Sequence, residues 1–75
     1  MKIYCIYDKL AQEGGPLFEA KNDGIALRMY QGIQLPGNPE DFKILWVGDY
    51  SHDPVKITAI TPPVEVNMMT KVEDE

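Results

Sequence analysis

A histidine flanked by two carboxylates is the first group of side chains in this sequence that could do chemistry. His52 is the sole histidine, and Asp49 and Asp53 lie within three residues of it. Together they could suit a metal site or an acid–base pair. A metal site normally needs three or four converging ligands, however, and these residues surround a predicted hairpin turn. We therefore interpret them as a solvated turn and predict neither a metal site nor a bound cofactor.

Three further features fail as catalytic candidates. Cys5 lies in a predicted strand among Ile and Tyr residues, where a thiol behaves as a small hydrophobic group. Gly14-Gly15-Pro16 precedes a strand and lacks the Lys-Ser/Thr pair of a phosphate-binding loop. Glu40 and Asp41 lie in a turn, where capping is the usual role of carboxylates. The sequence thus predicts no catalytic residues and a protein that is not an enzyme.

Aromatic side chains interleaved with basic ones offer binding chemistry instead. Four aromatic residues lie on predicted strands, namely Tyr4, Tyr7, Trp46 and Tyr50. Such rings can stack on the bases of a single-stranded nucleic acid, although strand aromatics are more often core or dimer contacts. The candidate nucleic-acid-binding or partner-binding residues are Tyr4, Trp46, Tyr50, Lys2, Lys43, Lys56 and Arg28.

The charge of the chain limits what such a site can bind. The 75 residues include 7 basic and 12 acidic groups, which gives a net charge of −5. An acidic chain cannot neutralise phosphates in bulk, so a basic genome-condensing peptide is excluded. Any contact with DNA should therefore depend on stacking and select single strands.

The elements that position these residues follow from hydrophobic periodicity and turn signals. The predicted elements are strands at 2–7, 17–20, 42–50 and 55–60 and a helix at about 23–34 that begins at Asn22-Asp23. Short connections favour hairpins. We therefore predict a small α+β fold, with a mainly antiparallel four-stranded sheet and one helix packed on one face.

Two patterns define the predicted faces of these elements. The apolar stripe of the helix comprises Ile25, Ala26, Met29, Tyr30 and Ile33. On the third strand Ile44, Trp46 and Tyr50 share one parity, which predicts that all three point to the same side of the sheet.

A single domain at residues 1–60 is predicted, followed by a C-terminal arm or acidic tail at 61–75. The boundary rests on Pro62-Pro63, because proline donates no backbone hydrogen bond to a sheet. So short a chain buries little surface, and its one cysteine cannot form an internal disulfide. We therefore expect a homodimer or higher homo-oligomer. No apolar stretch of about 20 residues is present, so no membrane partner is expected.

Several segments together resemble a known family. They are residues 1–8 (MKIYCIYD), Phe18, 22–30 (NDGIALRMY), 39–42 (PEDF), 45–50 (LWVGDY) and Asp53. The chain resembles the small non-structural protein of gokushoviruses, which are microviruses with circular single-stranded DNA genomes. Family members often carry a polar residue where Trp46 stands, and the tail at 61–75 matches no family motif.

The resemblance implies a protein that acts in the cytoplasm of the infected bacterium and is not a main virion component. It also implies a counterpart of the small microvirus protein that helps to switch replication toward genome synthesis and packaging. We therefore expect a non-enzymatic accessory protein that binds single-stranded DNA or the phage replication and packaging proteins. The alternative is a protein-binding module that modulates a viral or host partner without contacting DNA.

Overall fold

Four strands and one helix make up the described part of the chain, residues 1–33 and 37–66 of a computed structural model. The elements are β1 (Lys2–Asp8), β2 (Glu13–Ala20), α1 (Asp23–Gln31), β3 (Phe42–His52) and β4 (Val55–Glu65), with a 3-10 turn at Pro39–Asp41. The strands form one antiparallel sheet in the order β2-β1-β3-β4. The predicted α+β fold is confirmed.

The helix begins where the sequence predicts. The side chain of Asn22 accepts a hydrogen bond of 2.9 Å from the backbone N–H of Ile25, which satisfies one free amide of the first turn. The helix ends at Gln31, three residues before the predicted end, and the N–H of Gly32 closes the last turn.

The buried stripe of α1 is narrower than predicted. Ala26, Leu27 and Tyr30 are buried, whereas Met29 and Ile33 are 42% and 40% exposed. The helix therefore packs on the sheet through Ala26, Leu27 and Tyr30, which are spaced by one and three residues. Leu27 is in the core, where the sequence predicts Met29.

The core lies between α1 and the two central strands. Tyr4, Ile6 and Ile44 are its fully buried large side chains. Val66, directly after β4, is also buried, and its N–H donates to the carbonyl oxygen of Ile44 at 2.9 Å. We call this side of the sheet the helix face.

A bulge in β3 changes which side chains share a face. Ile3 pairs with Gly48 and its neighbour Tyr4 pairs with Trp46, so β3 carries one extra residue at this point. Trp46 therefore lies on the helix face with Tyr4, while Tyr50 lies on the opposite face. The prediction that Trp46 and Tyr50 share a face is wrong, because a parity count assumes an unbroken strand.

β4 extends through the two prolines. Ala59 pairs with Gly48 and Val64 with Trp46, so an irregular stretch of β4 accommodates Pro62 and Pro63 at the sheet edge. Residues 61–65 therefore belong to the sheet, although the sequence predicts that an arm or tail starts at residue 61. The rest of that predicted tail, residues 67–75, lies outside the described residues.

Gly48 marks the closest approach of β4 to the bulge. A Cβ atom at this position would lie 2.8 Å from the backbone oxygen of Thr58. Since the obstacle is backbone, no side-chain rotation can relieve the clash.

We expect Gly48→Ala to lower the free energy of unfolding by about 1–3 kcal/mol, because β4 must shift to admit the methyl group. Urea unfolding followed by circular dichroism measures the change. Gly32→Ala is the matched control: its Cβ would lie 3.6 Å from the nearest oxygen, and its φ of −87° suits alanine. Equal losses for the two variants would contradict the steric argument.

Tyr4 joins β1 to the start of the helix. Its hydroxyl donates a 2.6 Å hydrogen bond to Oδ1 of Asp23. Burial raises the pKa of Tyr4 well above its usual value, and the hydrogen bond to Asp23 and the charges of Asp23 and Asp49 raise it further. Burial also raises the pKa of Tyr30.

We expect the free energy of unfolding to fall as pH rises above about 10. There the unfolded chain loses the tyrosine protons that the folded protein keeps, so unfolding releases protons. Below that pH the stabilisation is fully present. Urea unfolding between pH 8 and 11 measures the slope of the free energy of unfolding against pH. Tyr4→Phe should make this slope shallower, and Tyr30 should account for the part that remains. An unchanged slope in Tyr4→Phe would refute the assignment to Tyr4.

Candidate binding face

The side of the sheet opposite α1 has no covering element among the described residues. Strand register places alternate side chains on this side, which we call the open face. Its main residues are Ile3, Tyr7, Leu17, Lys43, Leu45, Tyr50, His52, Val55 and Ile57, together with the acidic Glu19 and Glu65. The open face thus combines aliphatic and aromatic groups with few charges.

The aliphatic groups of the open face are most exposed near the two sheet edges. Leu17 on β2 is 65% exposed, and Ile57 and Val55 on β4 are 68% and 75% exposed. Apolar groups that share one uncovered face indicate a contact surface more strongly than isolated ones do.

Aromatic side chains lie at two places on the open face. The rings of Tyr50 and His52 meet edge to face with centroids 4.5 Å apart. Toward the other end of β3, Nζ of Lys43 lies 5.2 Å from the ring centroid of Tyr7 and 3.7 Å from Oε1 of Glu65. Lys43 and Tyr50 are seven residues apart, and because one of these residues is the bulge, they are about 20 Å apart along the strand.

Tyr4 does not lie on this surface. It is 0% exposed, and its ring stacks on Phe18 at a centroid distance of 5.6 Å within the helix-face core. A ring enclosed in this way cannot stack on a base, so the prediction of Tyr4 as a binding residue is corrected to a core role.

Lys2 and Trp46 form a separate pair on the helix face. Nζ of Lys2 lies 4.5 Å from the Trp46 ring centroid and 3.8 Å from Oδ1 of Asp23. The indole N–H of Trp46 donates to the carbonyl oxygen of Gly48 at 2.9 Å. The half-buried indole is therefore held by contacts within the protein.

The other two predicted residues also lie away from the open face. Arg28 is exposed on α1, and Lys56 is exposed on β4 opposite Ser51, with its side chain toward the helix side. Of the seven candidates, the structure brings Lys43 and Tyr50 to one surface and places the other five elsewhere.

The open face also holds Tyr7 and His52, which are outside the seven predicted binding residues. Tyr7 is one of the four strand aromatics named above, and its parity, opposite to that of Tyr4, predicts the face on which it lies. His52 was interpreted as part of a solvated turn, and it is exposed at the end of β3. Its pairing with Tyr50 becomes visible only when the bulge is known.

The groups considered for catalysis lie as follows. Cys5 is buried, with its thiol 3.9 Å from the carbonyl oxygen of Gly15. Across residues 1–33 and 37–66, no three His, Cys, Asp or Glu side chains converge in a way that could hold a metal ion. Within the same residues, no helix has the length and apolar character needed to cross a membrane.

The fold and this surface define a small α+β protein with one open, partly aromatic sheet face. The chain belongs to the phage ORF5 protein family, whose model matches residues 1–72. It is therefore a phage protein. Comparisons with curated proteins and with solved structures give no match.

Proposed function

We propose that this phage protein is a non-enzymatic accessory factor of single-stranded DNA genome replication and packaging, and that it binds single-stranded DNA through the open face. The observation that carries the proposal is the placement of Tyr7, Tyr50 and His52 on the uncovered side of an antiparallel sheet. The sequence resemblance to the gokushovirus non-structural protein supports the viral group and a site of action in the host bacterial cytoplasm.

A sheet face with aromatic side chains suits unpaired bases. Four-stranded RNA-recognition domains stack two or three bases on such rings. Stacking contributes about 1–3 kcal/mol per base and tolerates any sequence. The separation of about 20 Å between the Tyr7 and Tyr50 regions leaves room for a short extended single strand of nucleic acid across Ile3 and Leu45.

The charges of the open face favour single strands over duplex. Among the lysines on described strands, Lys43 alone lies on this face, and it is close to Glu65. Each phosphate contact to a single strand contributes a slope of about −0.7 to the plot of log affinity against log salt. One contact therefore gives a shallow salt dependence.

We expect labelled single-stranded oligonucleotides to bind with little sequence preference, duplex to bind much more weakly, and the salt slope to be about −1 or shallower. Fluorescence anisotropy at two salt concentrations measures all three. Tyr50→Ala should weaken binding about 5- to 150-fold through the loss of one stacked base, while Tyr50→Phe should retain binding.

Arg28→Ala is the matched control, because Arg28 is exposed on the opposite side of the molecule. Lys43→Ala should weaken binding through the loss of its phosphate contact. An equal loss from Arg28→Ala would refute the assignment to the open face. The absence of single-strand binding at tens of micromolar folded protein would reject the DNA proposal itself.

A second candidate function is a protein-binding module that modulates a viral or host partner. The strong exposure of Leu17, Val55 and Ile57 favours it, because aliphatic groups stack poorly on bases. A photo-crosslinking residue at position 17 should then capture a phage or host protein in infected cells. The same residue at position 29 of α1, which is 42% exposed, is the control.

A further inference from the structure

The outer edge of β4 is open to backbone pairing. β4 is the last strand of the sheet, and no described element pairs with its far side. Residues 55–59 are all exposed. An unpaired strand edge carries free N–H and C=O groups, which are a template for another strand.

Residues 55–60 (VKITAI) have the composition of a pairing strand. Five of the six are apolar or threonine, and Lys56 is the one charged residue. Natural edge strands usually block association with charges, prolines or bulges. Here Pro54 directly precedes the segment, and Pro62 and Pro63 follow it, so the prolines limit the length of an added strand without preventing it.

The opposite edge of the sheet is less suited to self-association. β2 has Glu13, Pro16 and Glu19 within eight residues. Two copies paired there would gather acidic groups in a protein whose net charge is already −5. The β4 edge is locally basic by one charge, so a second copy meets less repulsion there.

We propose that the protein forms a homodimer by antiparallel pairing of residues 55–59 with the same residues of a second copy. A two-fold axis through such a pair must place one residue opposite itself. With Ile57 on the axis, Lys56 lies opposite Thr58 and Val55 opposite Ala59. An axis at Lys56 would instead place two ammonium groups face to face, which is destabilising.

This pairing joins two sheets into one of eight strands, with both open faces on the same side. The two Ile57 side chains meet at the centre, where each is 68% exposed in the single chain. A contact of five residues buries less surface than a standard interface, so a dissociation constant in the micromolar range is expected. The dimer does not depend on DNA binding.

Sedimentation velocity of the full chain between about 1 and 200 µM tests the proposal. We expect a concentration-dependent dimer that Ile57→Lys converts to a monomer, through like charges at the axis. Leu17→Lys is the matched control, with similar exposure on the same face but at the other edge. Circular dichroism checks that both variants are folded.

A monomeric wild type at 200 µM would overturn the proposal. So would a dimer that survives Ile57→Lys, or one that Leu17→Lys also dissociates, since the contact would then lie elsewhere. These outcomes are independent of the DNA-binding assay, because DNA binding can be present or absent whether the protein is a monomer or a dimer.

Cysteine crosslinking tests the register. Residues directly opposite in an antiparallel pair have Cα atoms about 4.5–5.5 Å apart, which suits a disulfide. Ile57→Cys should therefore crosslink to a dimer under mild oxidation, while the buried Cys5 of the wild type should not. Ala59→Cys is the control, because its symmetry mate would lie about 13 Å away along the strand. Equal crosslinking of the two variants would overturn the register.

Discussion

Within residues 1–33 and 37–66, a single nine-residue helix covers one face of a four-stranded sheet, and the rest of the described architecture depends on this one-sided cover. One helix buries the large side chains of the central strands on its own side, so Tyr4, Ile6 and Ile44 form the core. The alternate positions on the same strands point to the other side and include Tyr7, Leu45 and Tyr50. The core and the candidate binding surface are thus the two faces of one layer.

Local chemistry explains why much of the fold could be predicted from sequence. The Asn22 cap, the 3-10 turn at Pro39–Asp41 and the hairpin between β3 and β4 each depend on residues close together in the chain. The fold class follows from their order. These signals identify elements, but they do not determine how neighbouring strands align.

Alignment is where the prediction of the site failed. The bulge near Gly48 reverses the alternation of side chains along β3. Trp46 and Tyr50 are four residues apart, so an unbroken strand would place them on the same face, but here they lie on opposite faces. Tyr4 matched the composition of a stacking residue, but only the packing of α1 and Phe18 shows that it is enclosed. Side-chain type suggests what a residue can bind, whereas long-range pairing decides whether a ligand can reach it.

The close approach at Gly48 also bears on how this chain can change over evolutionary time. A buried side chain can be replaced when its neighbours change in compensation, but the neighbour here is the backbone oxygen of Thr58, which every residue type carries. No second substitution at position 58 restores the space. We therefore expect position 48 to stay glycine while the residues around it change. The bulge that places Trp46 and Tyr50 on opposite faces of β3 should then persist as well.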